Sequence, residues 1–197
     1  MPPRCAAATH LVTRAPVITL TSPSTQPEWH EAGILIDELI DWDFERFRAQ
    51  CHERAELVRA FYPDTLEDVR RHCSGTDGRF LLARGDGSAA GCASFRRLDD
   101  HTCELYNVYV RHSYRGCGIG ALLLRQLQGD ARSVGYRAMY LETATYMHDA
   151  HRLYHSLGFH VCGHYRAIPE QFAALTLSMQ CDLRDGAAGA AARALSS

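Results

Sequence analysis

The segment Arg115-Gly116-Cys117-Gly118-Ile119-Gly120 lies between an apolar strand, 105–110, and an apolar helix carrying Leu122, Leu123, Leu124 and Leu127. Glycines remove the Cβ atoms that keep a backbone away from an anion. The first turn of the helix presents N–H groups with no partner, and its dipole adds positive charge there. Arg115 brings a full charge and a planar fork of donors. The turn therefore reads as a phosphate cradle. It also constrains the topology, because a strand that feeds a helix and then a second strand implies a parallel crossover.

Two common phosphate binders do not fit. No Lys-Ser/Thr follows the glycines, as a nucleoside triphosphatase loop requires. The spacing is G-x-G-x-G, whereas the dinucleotide fingerprint is G-x-G-x-x-G in a first βα turn, and this turn follows several strands. The remaining reading is a pyrophosphate cradle for another cofactor.

With 197 residues, the chain is expected to hold one domain with tails. A net charge of −2 gives no general attraction to nucleic acid or anionic membranes. No apolar run approaches the roughly 18 residues that suggest a membrane span. The eight cysteines (Cys5, Cys51, Cys73, Cys92, Cys103, Cys117, Cys162 and Cys181) form no CxxC pair, which suits a reducing, cytoplasmic setting. Residues 1–14 read as a disordered leader, 15–184 as the domain, and 185–197 as a flexible Ala/Gly-rich tail.

Along the chain, 17–20 reads as a strand and 22–25 as a break. An acidic helix follows with Ile34, Leu35, Leu39 and Ile40 on its apolar side. Its carboxylates form a solvated face or a rim that attracts a cationic substrate. Another helical piece closes at 56–60, and Asp64 or Thr65 caps the next helix. Strands at 79–83 and 89–96 flank a Gly85-Asp86-Gly87 hairpin turn, and 102–110 is the fourth strand. A helix over 118–133 stops at Gly135, and 138–142 is the fifth strand. A helix over 148–157 stops at Gly158, and strands at 159–165 and 174–181 close the domain. Their edges are available for pairing in a homodimer. The class is α+β, α/β/α layered, with a mixed, mostly antiparallel central sheet.

These residues resemble the GNAT superfamily of N-acetyltransferases, in the manner of small bacterial members. The R/Q-x-x-G-x-G/A motif is matched by Arg115, Gly118 and Gly120. The A-x-x-L-Y-x-x-x-G-F signature is matched by Ala150, Leu153, Tyr154, Gly158 and Phe159. An acid on the fourth strand is matched by Glu104, four residues before Val108. The likeness covers about 17–183. Met147 stands where such proteins often have asparagine, and Arg111-His112 where proline is common.

The resemblance implies that the fourth and fifth strands splay at a bulge to admit the pantetheine arm of acetyl-CoA, with no metal required. Backbone of Val108, Tyr109 and Val110 would bond that arm. Amides of Arg115, Gly116, Cys117, Gly118, Ile119, Gly120 and Ala121 would hold the pyrophosphate. Acetyl transfer to an amine needs a base, oxyanion stabilisation and a proton for the leaving sulfur. Glu104 is the expected base, directly or through water; the alternative is a structural carboxylate paired with an arginine or facing solvent. Tyr154 is the expected acid, or else a core aromatic. The oxyanion would meet a backbone N–H near Val108 or Tyr109. Strict alternation, absent a bulge, places Glu104, Tyr106, Val108 and Val110 on one side and Cys103, Leu105, Asn107 and Tyr109 on the other.

His148, His151 and His155 share spacing that could serve zinc, but no cysteine or acid completes the set. Cys117 lies at a helix N-terminus, where thiols can be activated, although an arbitrary side chain there is the simpler account. The expected activity is acetyl transfer from acetyl-CoA to a primary amine of a small molecule or peptide by direct attack in a ternary complex. The competing readings are a non-catalytic acyl-CoA sensor and a dinucleotide oxidoreductase. The acceptor would be selected by the first helices, the loop around Phe61 and Tyr62, and 164–172.

Overall fold

The computed structural model describes residues 17–50 and 62–184. The expected leader, the helical piece at 56–60 and the tail lie outside the described residues, as do Cys5, Cys51 and Phe61. The strands are β1 (Ile18–Thr21), β2 (Arg79–Gly85), β3 (Ser88–Arg97), β4 (Thr102–Val110), β5 (Ala138–Ala144), β6 (His160–Val161) and β7 (Thr176–Asp182). The helices are α1 (Gln26–Gln50), α2 (Leu66–Cys73), α3 (Ile119–Val134), α4 (His148–Ser156) and α5 (Glu170–Ala173). One sheet runs in the order β1-β2-β3-β4-β5-β7-β6. Every neighbouring pair is antiparallel except β4 and β5, which are joined by the α3 crossover. No described helix is long and apolar enough to cross a membrane.

Strand alternation sorts the core into two layers. Leu81, Ala83, Phe95 and Leu105 pack under α3 with Leu123, Leu124, Leu127 and Ala131. Phe80, Leu82 and Cys92 pack on the opposite face, against Trp29, Leu35 and Ile36 of α1 and Val69 of α2. Each fully buried Leu, Val, Ile or Phe among these contributes about 1.5–3 kcal/mol. Along α1 the buried stripe is Trp29, Ala32, Leu35, Ile36, Leu39, Ile40 and Phe47. Ile34, expected on that stripe, is 40% exposed because the helical period leaves it off the inner face.

The helix ends follow their local chemistry. Glu28 Oε2 accepts from the amides and hydroxyls of Ser24 and Thr25, opening α1. Thr65 and Asp68 form a reciprocal capping box on α2. α3 ends at Gly135, whose φ of 106° is open to glycine. At the C-terminal end, β6 covers only His160–Val161, shorter than expected, and the short helix α5 precedes β7. The chain between leaves the sheet, and Tyr165 and Arg166 turn toward Glu104 and Glu142.

The site is set by an irregularity in β4. Cys92 pairs with Tyr109 and Ser94 with Tyr106, so Ala93 faces both Asn107 and Val108. Asn107 takes a φ of 54° to make this bulge. The Tyr106 and Asn107 carbonyls accept from Ser94 Oγ at 3.1 Å and Cys92 Sγ at 3.3 Å. The bulge overturns strict alternation. Val108 and Val110 join Cys103 and Leu105 on the α3 side, whereas Tyr106 and Tyr109 share the α1 side. Pairing between β4 and β5 covers only Thr102–Glu104 against Ala138–Tyr140, although both strands continue. Beyond that point they part, and β5 pairs with β7 along its whole length. The splayed, mixed sheet agrees with the fold expected from sequence.

Asn107→Gly should keep stability within about 1 kcal/mol, since glycine accepts the positive φ. Asn107→Val should cost about 1–3 kcal/mol, because a β-branched residue resists it. Urea unfolding of the two variants checks this ordering.

Candidate active site

The gap between β4 and β5 opens into a cavity of about 820 Å³, within the size range of small-molecule sites. Its two ends differ in chemistry. One is the glycine turn at the start of α3. The other lies under α1 and α2.

At the turn, Gly116 and Gly118 have φ of 79° and 78°, and a Cβ on either would meet no protein atom within 4 Å. The space above the backbone is open. Gly118 is the N-cap of α3 and supplies no side-chain cap, so the first amides of the helix, those of Ile119, Gly120 and Ala121, face it without an acceptor from the preceding turn. Ile119 offers only its backbone, because its side chain is buried in the core. Cys117 is exposed. Arg115 Nε donates to the Val110 carbonyl at 3.0 Å. Its guanidinium stacks 4.7 Å from the Trp42 ring of α1, on which Arg46 also stacks at 5.1 Å. Arg111, at the usual proline position, donates from Nη2 to Glu38 at 2.7 Å and from Nη1 to the Ala89 carbonyl, fastening α1 beside the end of β4.

Between the two ends, Val108, Tyr109 and Val110 carry the edge of β4 released by the splay. Asn107 is 8% exposed and lines the cavity, and its Nδ2 is a buried donor with no acceptor. Sequence alternation gave no reason to place it here. Tyr154 is 7% exposed and packs edge-on against Phe159 at 5.9 Å. Its hydroxyl makes no hydrogen bond with the described residues. Burial pushes its pKa up, so the phenol keeps its proton. The expected acid and the expected main-chain binding groups, all but Cys117, thus line one cavity.

Glu104 lines the inner wall and is 2% exposed. Its Oε2 accepts from Arg96 Nε at 2.7 Å, and its Oε1 from the Tyr165 hydroxyl at 2.6 Å. Arg166 Nη2 is 3.5 Å away and also pairs with Glu142. Arg96 pairs further with Asp64. The carboxylate therefore takes the arginine-paired arrangement that the sequence left open beside the base role.

Sequence reading counts Asp43 among the α1 carboxylates of a solvated face or cation-attracting rim without singling it out, and several of the others have different fates. Glu28 caps the helix, Glu31 pairs with Arg84, Glu38 pairs with Arg111, and Asp37 and Asp41 are exposed. Asp43 is 7% exposed and turns into the cavity. The Tyr62 and Tyr146 hydroxyls each donate to it at 2.9 Å. Burial raises its pKa, opposed by these two bonds. The signal that could have found it is its spacing from Leu39 and Phe47, at i−4 and i+4, which puts it on the inward stripe.

Two of the three α4 histidines meet backbone, and His148 packs edge-on against His151. His151 Nε2 lies 3.0 Å from the Ala144 carbonyl, and His155 Nδ1 lies 3.0 Å from the Phe159 carbonyl.

Residues 36–159, well over half of the chain, match the acetyltransferase (GNAT) family. An uncharacterised N-acetyltransferase of Schizosaccharomyces pombe is 34% identical over 98 residues, covering 49% of this chain and 60% of that protein. An IAA acetyltransferase of Azospirillum brasilense is 34% identical over 126 residues, 64% of this chain and 74% of that protein. Among solved structures, an acetyltransferase from Streptococcus agalactiae superposes with a TM-score of 0.64 at 18% identity, over 84% of this chain and 98% of that one. The PaiA N-acetyltransferase of Thermoplasma acidophilum, in complex with coenzyme A, gives 0.62 at 18% identity, over 84% and 99%. The splayed β4 and β5, the glycine turn into α3 and the match over residues 36–159 place this chain in the GNAT acetyltransferase family.

Proposed function

We propose that this protein moves an acetyl group from acetyl-CoA to a primary amine by direct attack in a ternary complex. The observation that carries this reading is the convergence on one cavity of an uncapped glycine turn, a released strand edge and an unpartnered buried phenol. Two structural neighbours solved with coenzyme A and with acetyl-CoA support the choice of donor.

The chain fits such a donor. The open space over Gly116 and Gly118 suits a diphosphate, held by amides from Arg115 to Ala121. The free edge at Val108, Tyr109 and Val110 suits the two amides of a pantetheine arm, which can pair with it like a strand. Bound there, acetyl-CoA supplies an activated acetyl thioester. A β4 N–H at Val108 or Tyr109 stabilises the charge that develops on the thioester oxygen. Asn107 Nδ2, a buried donor without an acceptor, adds to it. Tyr154, kept protonated by burial, gives its hydroxyl proton to the departing sulfur.

Glu104 has a narrower part than a free base. Arg96 and Tyr165 each occupy one acceptor site on its two oxygens, and the paired arginine stabilises its negative charge. Its charge holds Arg96, Tyr165 and Arg166 in the inner wall, which makes it a positioning residue.

Three outcomes are expected. Tyr154→Phe lowers kcat for thiol release by roughly 10²–10⁴-fold, with acetyl-CoA affinity by calorimetry kept; unchanged kcat would falsify the acid role. Gly118→Ala and Gly135→Ala each lose about 1–2 kcal/mol by placing a Cβ at positive φ, yet only Gly118→Ala weakens coenzyme A binding. Glu104→Gln costs about 2 kcal/mol in urea unfolding, raises KM for the amine and changes kcat less than Tyr154→Phe does. An equal kcat loss in the two variants would restore Glu104 as the base.

A further inference from the structure

Charge accounting separates one carboxylate in the cavity from the rest. Asp64 pairs with Arg96, Glu104 with Arg96 and Arg166, Glu142 with Arg166, and Asp149 with Arg152. Asp43 has no cationic partner among the described residues, although it is more buried than Asp64. Arg46, one turn along α1, stacks on Trp42 instead. Two tyrosine hydroxyls satisfy part of the hydrogen-bonding capacity of Asp43 but supply no opposite charge. A buried carboxylate without a cation is costly, and such groups are ordinarily paired. Among the described residues that charge is left uncompensated, which leaves room for a cation carried by a ligand.

The surroundings describe the rest of that ligand. Ile36, Leu39 and Phe47 of α1 and Val69 of α2 are buried side chains that line the same cavity as Asp43. Tyr62 and Tyr146 add aromatic walls. The lining thus combines these apolar and aromatic side chains with a carboxylate that has no ion pair among the described residues.

We infer that Asp43, flanked by the hydroxyls of Tyr62 and Tyr146, seats the ammonium group of the acceptor, and that this acceptor is a primary alkylammonium with an apolar body. The inference rests on the acetyl-transfer reading and names the substrate class of that site. The ammonium forms a charge-assisted bond to an Asp43 oxygen. One N–H bond then breaks as the proton passes to that oxygen, which frees the nitrogen lone pair for attack. A second amine proton restores the Tyr154 hydroxyl after its own has gone to sulfur, and the third remains as the amide N–H. Asp43 returns its proton to water. Burial, which raises the proton affinity of Asp43, suits it to this exchange.

The test is calorimetry on the full chain with 2-phenylethylamine and its neutral analogue 2-phenylethanol, each with and without saturating coenzyme A. The wild type is expected to bind the amine at least roughly tenfold more tightly than the alcohol, and Asp43→Asn to lose that preference. The alcohol serves as the control on the ligand side if the variant does not fold. In turnover, Asp43→Asn is expected to raise KM for the amine and leave KM for acetyl-CoA unchanged, a split that a merely structural role would not produce. Equal binding of amine and alcohol by the wild type, or no amine binding at all, overturns the inference. Coenzyme A that fails to bind overturns the acetyl-transfer reading, while the titrations without coenzyme still decide whether Asp43 seats an ammonium.

Discussion

The parting of β4 and β5 governs everything else in the molecule. Parallel neighbours would ordinarily continue their ladder, and here they stop after three residue pairs. The bulge at Asn107 supplies the physical means, since an extra residue bends a strand and increases its twist. The cost is limited because Ser94 and Cys92 satisfy the carbonyls beside the bulge. β5 is not left exposed either, because β7 pairs with it throughout. The sheet thereby keeps a gap of about 820 Å³ in its middle without leaving both of its inner strands unpaired.

What could be read from the sequence follows from how local its cause is. The turn into α3, its stop at Gly135 and the hairpin at Asp86-Gly87 depend on residues adjacent in the chain, and all appear as expected. The family likeness also came from short spacings around Gly118 and Tyr154. That likeness implied a bulge but not its position at Asn107, which only the register against β3 reveals. Asp43 was hidden for a related reason. Its partners lie 19 and 103 residues away, so its burial arises from packing and not from local pattern. β6 ends after two residues, and the chain beyond it carries Tyr165 and Arg166 to carboxylates distant in sequence.

The polar interior is arranged by compensation. Glu104, Arg96, Asp64, Arg166 and Glu142 form one continuous set of ion pairs behind the cavity. Such a set gains little net stability over an apolar wall but holds each member in one position. Fixed donors and acceptors are what a site needs if it is to avoid reorganising during reaction. Among the described residues, Asn107 Nδ2, Thr176 Oγ1 and the Tyr154 hydroxyl make no hydrogen bond, and all three residues line the cavity.

α1 touches both ends of that volume within about two turns. Glu38 is held by Arg111, Trp42 lies under Arg115, and Asp43 reaches Tyr62 and Tyr146. A helix is stiff over so short a span, so these contacts share one lever. Trp42 and Asp43 are adjacent on that span, so the backbone that carries the ring under Arg115 also fixes the carboxylate between Tyr62 and Tyr146, and one short stretch of helix gauges the distance between the two.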